Sequence, residues 1–217
     1  NDLKYAINVA EFQEQFEGAT ADDPLEVTDI CLVNANFSEG SINGWDNTFQ
    51  SGVTAVNCGY QGASYTNNGS TLEGSAGSAF DDDENASYLN GFIEAWRPNE
   101  NDPHHIGDAQ LSQTVYGLPT GMYKLTCDVI AVQQGSYFPN PVTGTKLFIA
   151  TDTGVEVFQE VATGNGNPEH FSITFTCPKG VRAVTFGLKT ENTTANWIAA
   201  DNFRIYYFGE TEKTLAQ

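Results

Sequence analysis

The first stretch of the chain has apolar residues at helical spacing. Ile7, Phe12 and Phe16 belong to a set that recurs about every three or four residues, and Gly18 follows as a residue that commonly ends helices. The pattern predicts one helix within residues 3–17. We expect this helix to pack on the rest of the protein only through those three side chains.

The pattern changes from helical to alternating after Pro24, which cannot continue a helix. Short runs rich in β-branched and aromatic residues then follow one another, separated by Gly, Pro and Asn, and no stretch between them has helical spacing. This organisation predicts an all-β fold, an antiparallel β-sandwich of the jelly-roll type. The predicted strands are residues 30–33, 53–60, 91–96, 110–116, 122–132, 146–150, 155–158, 171–177, 182–189 and 198–208.

The change from helical to alternating spacing, and the end of the alternating spacing, divide the chain into three parts. We predict a helix and linker over residues 1–24, a β-sandwich over residues 25–209 and a tail, or the start of a following segment, over residues 210–217. Because the predicted helix touches the sandwich at few places, we expect that removing the residues before Asp22 leaves most of the stability intact. Residues 60–87 are dominated by Gly, Ser, Asn and Asp, which predicts a long loop region of the kind that often carries binding sites.

The longest predicted strand also shows which side chains face inward. Tyr123, Leu125, Cys127 and Val129 alternate with polar residues and therefore share one face of the sheet. Cys177 alternates in the same way with its apolar neighbours. The 4 cysteines of the chain show no CxxC spacing, which argues against a zinc or thioredoxin-like site. We favour buried free thiols, with disulfides as the alternative.

Charge excludes one class of function. The chain has 28 acidic and 9 basic side chains and a formal net charge of −19, so it would be repelled by phosphate backbones, and we predict no binding to nucleic acid. No apolar run approaches the length of about 18 residues that spans a membrane, so we predict no direct membrane insertion. Residues 1–5 have neither the basic nor the apolar region of a signal peptide, and we expect a chain that is already trimmed.

Three motifs resemble those of a known family. The first is Asn34-Ala35-Asn36-Phe37 followed by Gly44-Trp45, the second is residues 113–125 (QTVYGLPTGMYKL), and the third is residues 197–205 (WIAADNFRI). In this order they resemble the opening, the central turn and the closing strand of galactose-binding-like β-sandwich modules, which include many carbohydrate-binding modules. Together they bracket almost the whole β region.

The resemblance implies more than a fold. The lead-in of a helix and an Ala-Thr-Ala-Asp-Asp-Pro linker also resembles the linkers before such modules in bacterial secreted and cell-surface proteins that handle glycans. The resemblance implies a non-catalytic carbohydrate-binding module whose partner is an oligo- or polysaccharide. It also implies neighbouring domains of a longer chain and a secreted, periplasmic or cell-surface location. The scaffold also serves as a structural spacer or protein-interaction domain without glycan affinity, and that alternative stays open.

Residues suited to binding a sugar occur in the predicted loops. A sugar ring has an apolar face that stacks on an aromatic plate, and hydroxyl groups that bond to amides, carboxylates and guanidinium groups. Trp96 is the best aromatic candidate, and its alternative is a place in the core. Arg97 is the best polar candidate, and its alternative is a salt bridge to Glu94 or Glu100. The full predicted set is Trp96, Arg97, Asn99, Glu94, Tyr60, Tyr65 and Tyr137.

Calcium is the most plausible cofactor. Modules of the resembled family often carry a structural calcium between the opening segment and the closing strand, which implies Asn36, Glu39 and Asp201 as ligands. Ser38 occupies the place of the family's usual Glu, and Glu39 stands one residue late. The acidic run 81–84 lacks the alternating spacing of a calcium loop, so we interpret it as a solvated loop.

Signals for catalysis are weak. The chain has neither a G-x-S-x-G elbow nor an H-E-x-x-H motif, and only 3 histidines. Two of them, His104 and His105, are adjacent, so on an extended chain at most one of them points into a given site. We therefore predict that the protein is not an enzyme, with a jelly-roll glycosidase or lyase as the less favoured alternative.

Overall fold

A computed structural model describes residues 1–37, 39, 41–49, 57–61, 92–97, 103–164, 166 and 168–210, with the backbone alone for residues 57–61. Its two helices are α1 (Asp2–Gln15) and α2 (Thr28–Cys31). Its strands are β1 (Leu25–Glu26), β2 (Asp46–Asn47), β3 (Asn57–Gln61), β4 (Phe92–Trp96), β5 (Ala109–Tyr116), β6 (Gly121–Val132), β7 (Thr145–Thr151), β8 (Glu156–Glu160), β9 (Glu169–Cys177), β10 (Ala183–Thr190) and β11 (Trp197–Tyr207). Neither helix is long and apolar enough to cross a membrane.

The strands form two antiparallel sheets. One has the order β3-β4-β11-β6-β9, with β1 also pairing with β11, and the other has the order β2-β5-β10-β7-β8. Every pairing is antiparallel, and most neighbours in a sheet are not consecutive in the chain. The predicted antiparallel β-sandwich is therefore confirmed. One predicted strand is wrong. Of residues 30–33, Ile30 and Cys31 belong to α2, where their amides donate hydrogen bonds to the carbonyl of Val27, and residues 32–33 lie in no strand.

The core lies between the two sheets. The predicted inward face of β6 is confirmed, since Tyr123, Leu125, Cys127 and Val129 are all fully buried there. At Gly121, where β6 begins, φ is +150°, and a Cβ would lie 2.5 Å from the Tyr207 ring. This strand position therefore needs glycine.

Helix α1 is attached to the sandwich more firmly than its sequence predicts. Phe12 and Phe16 insert into the core, and the Phe16 ring lies 5.0 Å from that of Tyr207. Ile7 lies on the opposite face, where it is 46% exposed, so the expectation that it packs on the sandwich is wrong. The guanidinium of Arg182, next to β10, pairs with Asp2 and lies over the Tyr5 ring, which fixes the start of the helix.

A smaller apolar cluster lies on the outer face of the β3-β4-β11-β6-β9 sheet. It consists of Phe92, Ile130, Val132, Trp197 and Ala199, with Trp96 packed against it. These residues come from the three adjacent strands β4, β11 and β6. At one end of the sandwich, the outer face of the sheet therefore carries a second, smaller group of packed apolar side chains.

The thiols with described side chains are free, as we favoured. Cys31, Cys127 and Cys177 form no disulfide. Burial raises the pKa of Cys127 well above its ordinary value, and it raises the pKa of Cys177 to about 12. These thiols therefore stay protonated and unreactive at neutral pH. The side chain of Cys58 lies outside the described residues.

Candidate functional site

Three strand ends meet at one end of the sandwich and bring several of the predicted residues together. Trp197, the first residue of β11, lies opposite Trp96 at the end of β4 and opposite Val132 at the end of β6. The loops that leave these strands therefore start side by side. Residues 103–106 and 133–142 belong to this group, which we call the loop end.

Trp96 lies at the border between the apolar cluster and the surface. Its ring is partly exposed and packs against the cluster of Trp197 and Val132, while its indole Nε1 donates a hydrogen bond of 3.0 Å to Gln134 Oε1. The structural alternative therefore holds for part of the ring, and sugar binding by Trp96 stays a prediction. Trp96 packs as part of the outer cluster, and its remaining surface is turned toward the loop end.

Glu94 and Arg97 do not face solvent, which corrects the expectation that they bond sugar hydroxyls. Glu94 is 2% exposed, and its Oε2 accepts a 2.6 Å hydrogen bond from the indole Nε1 of Trp197. Arg97 is 7% exposed, and its Nε donates to the carbonyl of Pro103 at 2.6 Å. Glu94 therefore lies beneath Trp197, and Arg97, just after β4, lies beneath the 103–106 loop. Their role in this structure is to hold the loop end together.

Tyr137 is the exposed aromatic plate of the loop end. Its side chain is 51% exposed, and its ring stacks on that of His104 with centroids 3.6 Å apart and planes inclined by 12°. Next to this pair, His105 meets Phe138 edge to face, and its Nδ1 donates to the carbonyl of Ile106. His104 therefore supports Tyr137 from one side. We did not predict His104 as a site residue. The usable signal in the sequence was the aromatic pair 137–138, whose rings contact the two adjacent histidines.

Two side-chain amides, of Asn196 and Asn140, hold the loop that carries Tyr137. The side chain of Asn196 accepts a 2.7 Å hydrogen bond from the Gln134 amide and donates back to the Gln134 carbonyl. Asn140 makes the same reciprocal pair of bonds with the backbone of Gln133. Because both ends of residues 133–140 are tied in this way, the aromatic plate is formed before any ligand arrives, which lowers the entropic cost of binding.

Three predicted residues cannot be placed at the site. Asn99 and Tyr65 lie outside the described residues. Tyr60 is described by its backbone, which pairs with Ile93, the second residue of β4, whereas the partner of Trp96 on β3 is Asn57. Its backbone therefore lies further along β3 than the loop end.

Asn36 and Glu39, predicted as metal ligands, line a polar pocket of about 360 Å³ between the opening segment and the closing strand. Asn202 lines the same pocket at a bulge in β11, with φ at +56°, and its Oδ1 is buried without a hydrogen-bond partner. Asp201 does not line the pocket. Its Oδ1 accepts a hydrogen bond from the Asn202 amide, because the bulge turns the Asp201 side chain away.

The chemistry of this pocket suits a hard cation in part. Amide and carboxylate oxygens are the ligands that Ca²⁺ prefers. However, Arg204 also lines the pocket, and its guanidinium pairs with Glu26. Within the described residues no group of three or more His, Cys, Asp or Glu side chains is arranged to hold a metal ion. The carboxylates of Glu26, Asp29 and Glu39 line the pocket without forming such a group.

A second exposed aromatic lies on the outer face of the other sheet. Phe158 on β8 is as exposed as Tyr137, but the ammonium of Lys146 lies 4.4 Å from the centre of its ring. Lys146 and Lys189 both pair with Glu191, which lowers the pKa of that carboxyl to about 2. A sugar stacking on this side of Phe158 would have to displace Lys146 from an ion-pair network. Among the described residues, no cation lies over the Tyr137 ring.

Comparison with known proteins shows what the fold is similar to. No protein-family model and no curated protein matches the sequence. Among solved structures, the carbohydrate-binding module TmCBM61, in complex with β-1,4-galactotriose, superposes with a TM-score of 0.53 over 81% of this chain and 97% of its own, at 15% identity. The chain has the β-sandwich fold of carbohydrate-binding modules.

The same sandwich occurs in enzymes. A Stig cyclase from Fischerella sp. TAU superposes with a TM-score of 0.58 over 87% of this chain and 100% of its own, at 17% identity. The enzymatically active domain of tailspike protein 4 from bacteriophage CBA120 gives 0.51 over 81% of this chain and 21% of its own, at 12% identity. At such identities the likeness shows the fold alone, and function has to be argued from the sites.

Proposed function

We propose that this sandwich is a non-catalytic carbohydrate-binding module and that the loop end binds the sugar. The observation that carries the proposal is the half-exposed Tyr137 ring, stacked on His104 and held by a hydrogen-bonded loop. One face of the ring is supported by His104, so a sugar would stack on the other. Trp96, whose indole donates a hydrogen bond to Gln134 in the same loop, is a second partly exposed aromatic residue at this end.

The charge of the chain narrows the class of glycan. With a formal net charge of −19, the protein repels anionic polysaccharides over the range of the Debye length. The two cations nearest the site in sequence do not offset this, since Arg97 is buried and Lys146 is paired. We therefore propose uncharged oligo- and polysaccharides as ligands. The trisaccharide bound to TmCBM61, a protein of the same fold, is also uncharged.

The expected affinity is weak. One stacking plate with a few hydrogen bonds leaves binding in the micromolar to millimolar range, about −4 to −8 kcal/mol. Several modules acting on one polymer would make such binding useful. We propose accordingly that the module works beside neighbouring domains in a secreted, periplasmic or cell-surface protein. Buried, protonated thiols are compatible with the oxidising conditions found in those places.

Tyr137→Ala tests the site. On a glycan array that includes β-1,4-galactotriose and uncharged polysaccharides, followed by calorimetry with the best ligand, we expect the variant to lose about 1–3 kcal/mol of binding free energy. Its melting temperature should not change, because the ring is half exposed. Phe158→Ala is the matched control, since it removes an equally exposed ring from the other sheet and should bind like the parent.

The outcomes separate the alternatives. If Phe158→Ala weakens binding and Tyr137→Ala does not, the sugar site lies on the β2-β5-β10-β7-β8 sheet and our assignment is wrong. If the parent binds no glycan on the array, the spacer or protein-interaction alternative is correct. Turnover of any bound polysaccharide would instead make the protein an enzyme, as some proteins of this fold are.

We also propose that Ca²⁺ binds in the polar pocket through Asn36, Glu39 and Asn202, with Asn202 in the place that the family resemblance gave to Asp201. The support is the buried Asn202 Oδ1 and the oxygen-rich lining. Such an ion would join the opening segment to the closing strand, which already meet where the Phe203 amide donates to the Ala35 carbonyl.

Chelation tests the calcium proposal. A ligand that binds only the folded state at 100 times its dissociation constant adds about 2.7 kcal/mol of stability, so adding calcium to chelated protein should raise the melting temperature measurably. Glu39→Gln should remove this response, and Glu17→Gln, an exposed change elsewhere, should keep it. If chelator and calcium leave the melting temperature of the parent unchanged, there is no calcium site.

A further inference from the structure

Strand β9 forms one border of its sheet. Among the described strands it pairs with β6 alone, over the whole length from Glu169 to Cys177. Its side chains alternate in the usual way: Ile173 and Phe175 point into the core, and Ser172 and Thr174 are exposed on the outer face. The other side of the strand therefore carries backbone groups with no described partner strand.

The hydrogen bonds of β6 show which backbone groups of β9 point outward. The amide and the carbonyl of Ala131 both face the β9 side of β6, where they bond to the Thr163 hydroxyl. Because these groups alternate along a strand, the odd-numbered residues of β6 face β9, and Leu125 lies opposite Ile173. It follows that the odd-numbered residues of β9 bond to β6. The amides and carbonyls of the even-numbered residues 170–176 point to the open side.

This border lacks the features that normally keep sheet edges apart. Natural edge strands are short, or carry Lys, Pro or inward charges. Strand β9 has 9 residues, and there is no Asp, Glu, Lys, Arg or Pro from His170 to Cys177. By contrast, β8 at the border of the other sheet has 5 residues and begins and ends with Glu. From His170 to Cys177 this edge therefore adds no acidic side chain to the repulsion between two copies of a chain with a net charge of −19.

We propose that β9 is a self-association surface, on which a second copy of this chain adds its own β9 in antiparallel orientation about Ile173. The pattern around Ile173 is self-complementary. Phe171 would meet Phe175 of the second copy on the inner face, and Ser172 would meet Thr174 of the second copy on the outer face. Aromatic pairs and Ser/Thr pairs are favourable across antiparallel strands.

The proposed register also satisfies the backbone. It places even-numbered residues opposite even-numbered residues, so the outward amides and carbonyls of Ser172 in one copy and Thr174 in the other exchange hydrogen bonds. The charges do not conflict, because Glu169 would lie opposite Cys177. The contact is a single pair of strands, so we expect a reversible dimer with a micromolar or weaker dissociation constant.

Sedimentation velocity over a concentration series tests the proposal. The parent should shift from monomer to dimer as the concentration rises. The double variant Ser172→Lys/Thr174→Lys places lysines directly opposite each other twice in the dimer, and we expect it to dimerise at least about tenfold more weakly. Gln159→Lys on β8 adds a charge to the other border and should dimerise like the parent.

A second variant addresses the backbone itself. Thr174→Pro removes an amide that points to the open side, so the pairing with β6 remains while one intermolecular hydrogen bond is lost. Circular dichroism checks that both variants keep the fold, and we expect Thr174→Pro to weaken the dimer as well. A parent that stays monomeric at every concentration overturns the proposal. A dimer that both β9 variants leave unchanged overturns it too.

Discussion

Replacing Phe16 by alanine should lower the free energy of unfolding by about 3–5 kcal/mol, the usual cost of removing a buried phenylalanine. Phe16 is 4% exposed although it follows the last residue of α1, and its ring lies against Tyr207 and Tyr123 at the border of the core. The substitution leaves a cavity between rings that cannot easily collapse onto it. Unfolding in denaturant, followed by tryptophan fluorescence and circular dichroism, measures the change.

Ile7→Ala is the control for this prediction. Ile7 lies on the solvent face of the same helix, so its replacement should change the stability by no more than about 0.5 kcal/mol. Equal losses for both variants would mean that α1 acts through its helicity and not through the contacts of Phe16. If Phe16→Ala is as stable as the parent, α1 is the dispensable appendage that the sequence predicts, and removal of the residues before Asp22 would then be tolerated as well.

Thr163→Val should destabilise the protein by about 2–4 kcal/mol, although the two side chains have the same shape. Thr163 is fully buried, and its hydroxyl accepts a hydrogen bond from the Ala131 amide and donates one to the Ala131 carbonyl. The pairing between β6 and β9 ends at Val129, two residues before Ala131. The hydroxyl therefore takes the place of the missing strand, and valine would leave two buried backbone groups without partners.

Thr163→Ser separates this effect from packing. Serine keeps the hydroxyl and loses one methyl group, so we expect a cost of no more than about 1.5 kcal/mol by the same denaturant titration. Because Ala131 lies just before the loop that carries Tyr137, Thr163→Val should also weaken glycan binding at the proposed site. A valine variant as stable as the serine variant would show that the backbone of Ala131 finds other partners.

The parts of the fold that were predicted correctly from the sequence are those where apolar and polar residues alternate over a long stretch. Strand β6 alternates over 12 residues, and its inward face was identified correctly. A run of four residues contains too little information, so α2 was mistaken for a strand. Ile7 was misplaced for a related reason. Both faces of α1 carry apolar residues, and spacing alone does not tell which face meets the sandwich.

The aromatic residues of the candidate site could be chosen from the sequence, but their surroundings could not. Tyr137 and Trp96 were chosen as loop aromatics, and both lie at the loop end. Glu94 and Arg97 were chosen because they lie close to Trp96 in the sequence. Glu94, however, is buried against Trp197, which lies 103 residues further along the chain, and Arg97 bonds to the carbonyl of Pro103. Asn202, which lines the polar pocket, was not predicted. The bulge in β11 brings Asn202 to the pocket instead of Asp201, and the strand motif in the sequence does not reveal this bulge.

Strand β6 also sets the distance between the loop end and the segments that enter and leave the sandwich. Ala19 after α1 and Gly209 after β11 are in contact with each other, and both lie beside the first residues of β6. The loop end follows the last residue of the same strand. The 12 residues of β6 are joined by 11 steps of about 3.4 Å, so the two places are separated by roughly 37 Å. A protein immobilised on a sensor surface through either of these segments would hold Tyr137 at its far tip, where a long polymer can reach it without touching the support.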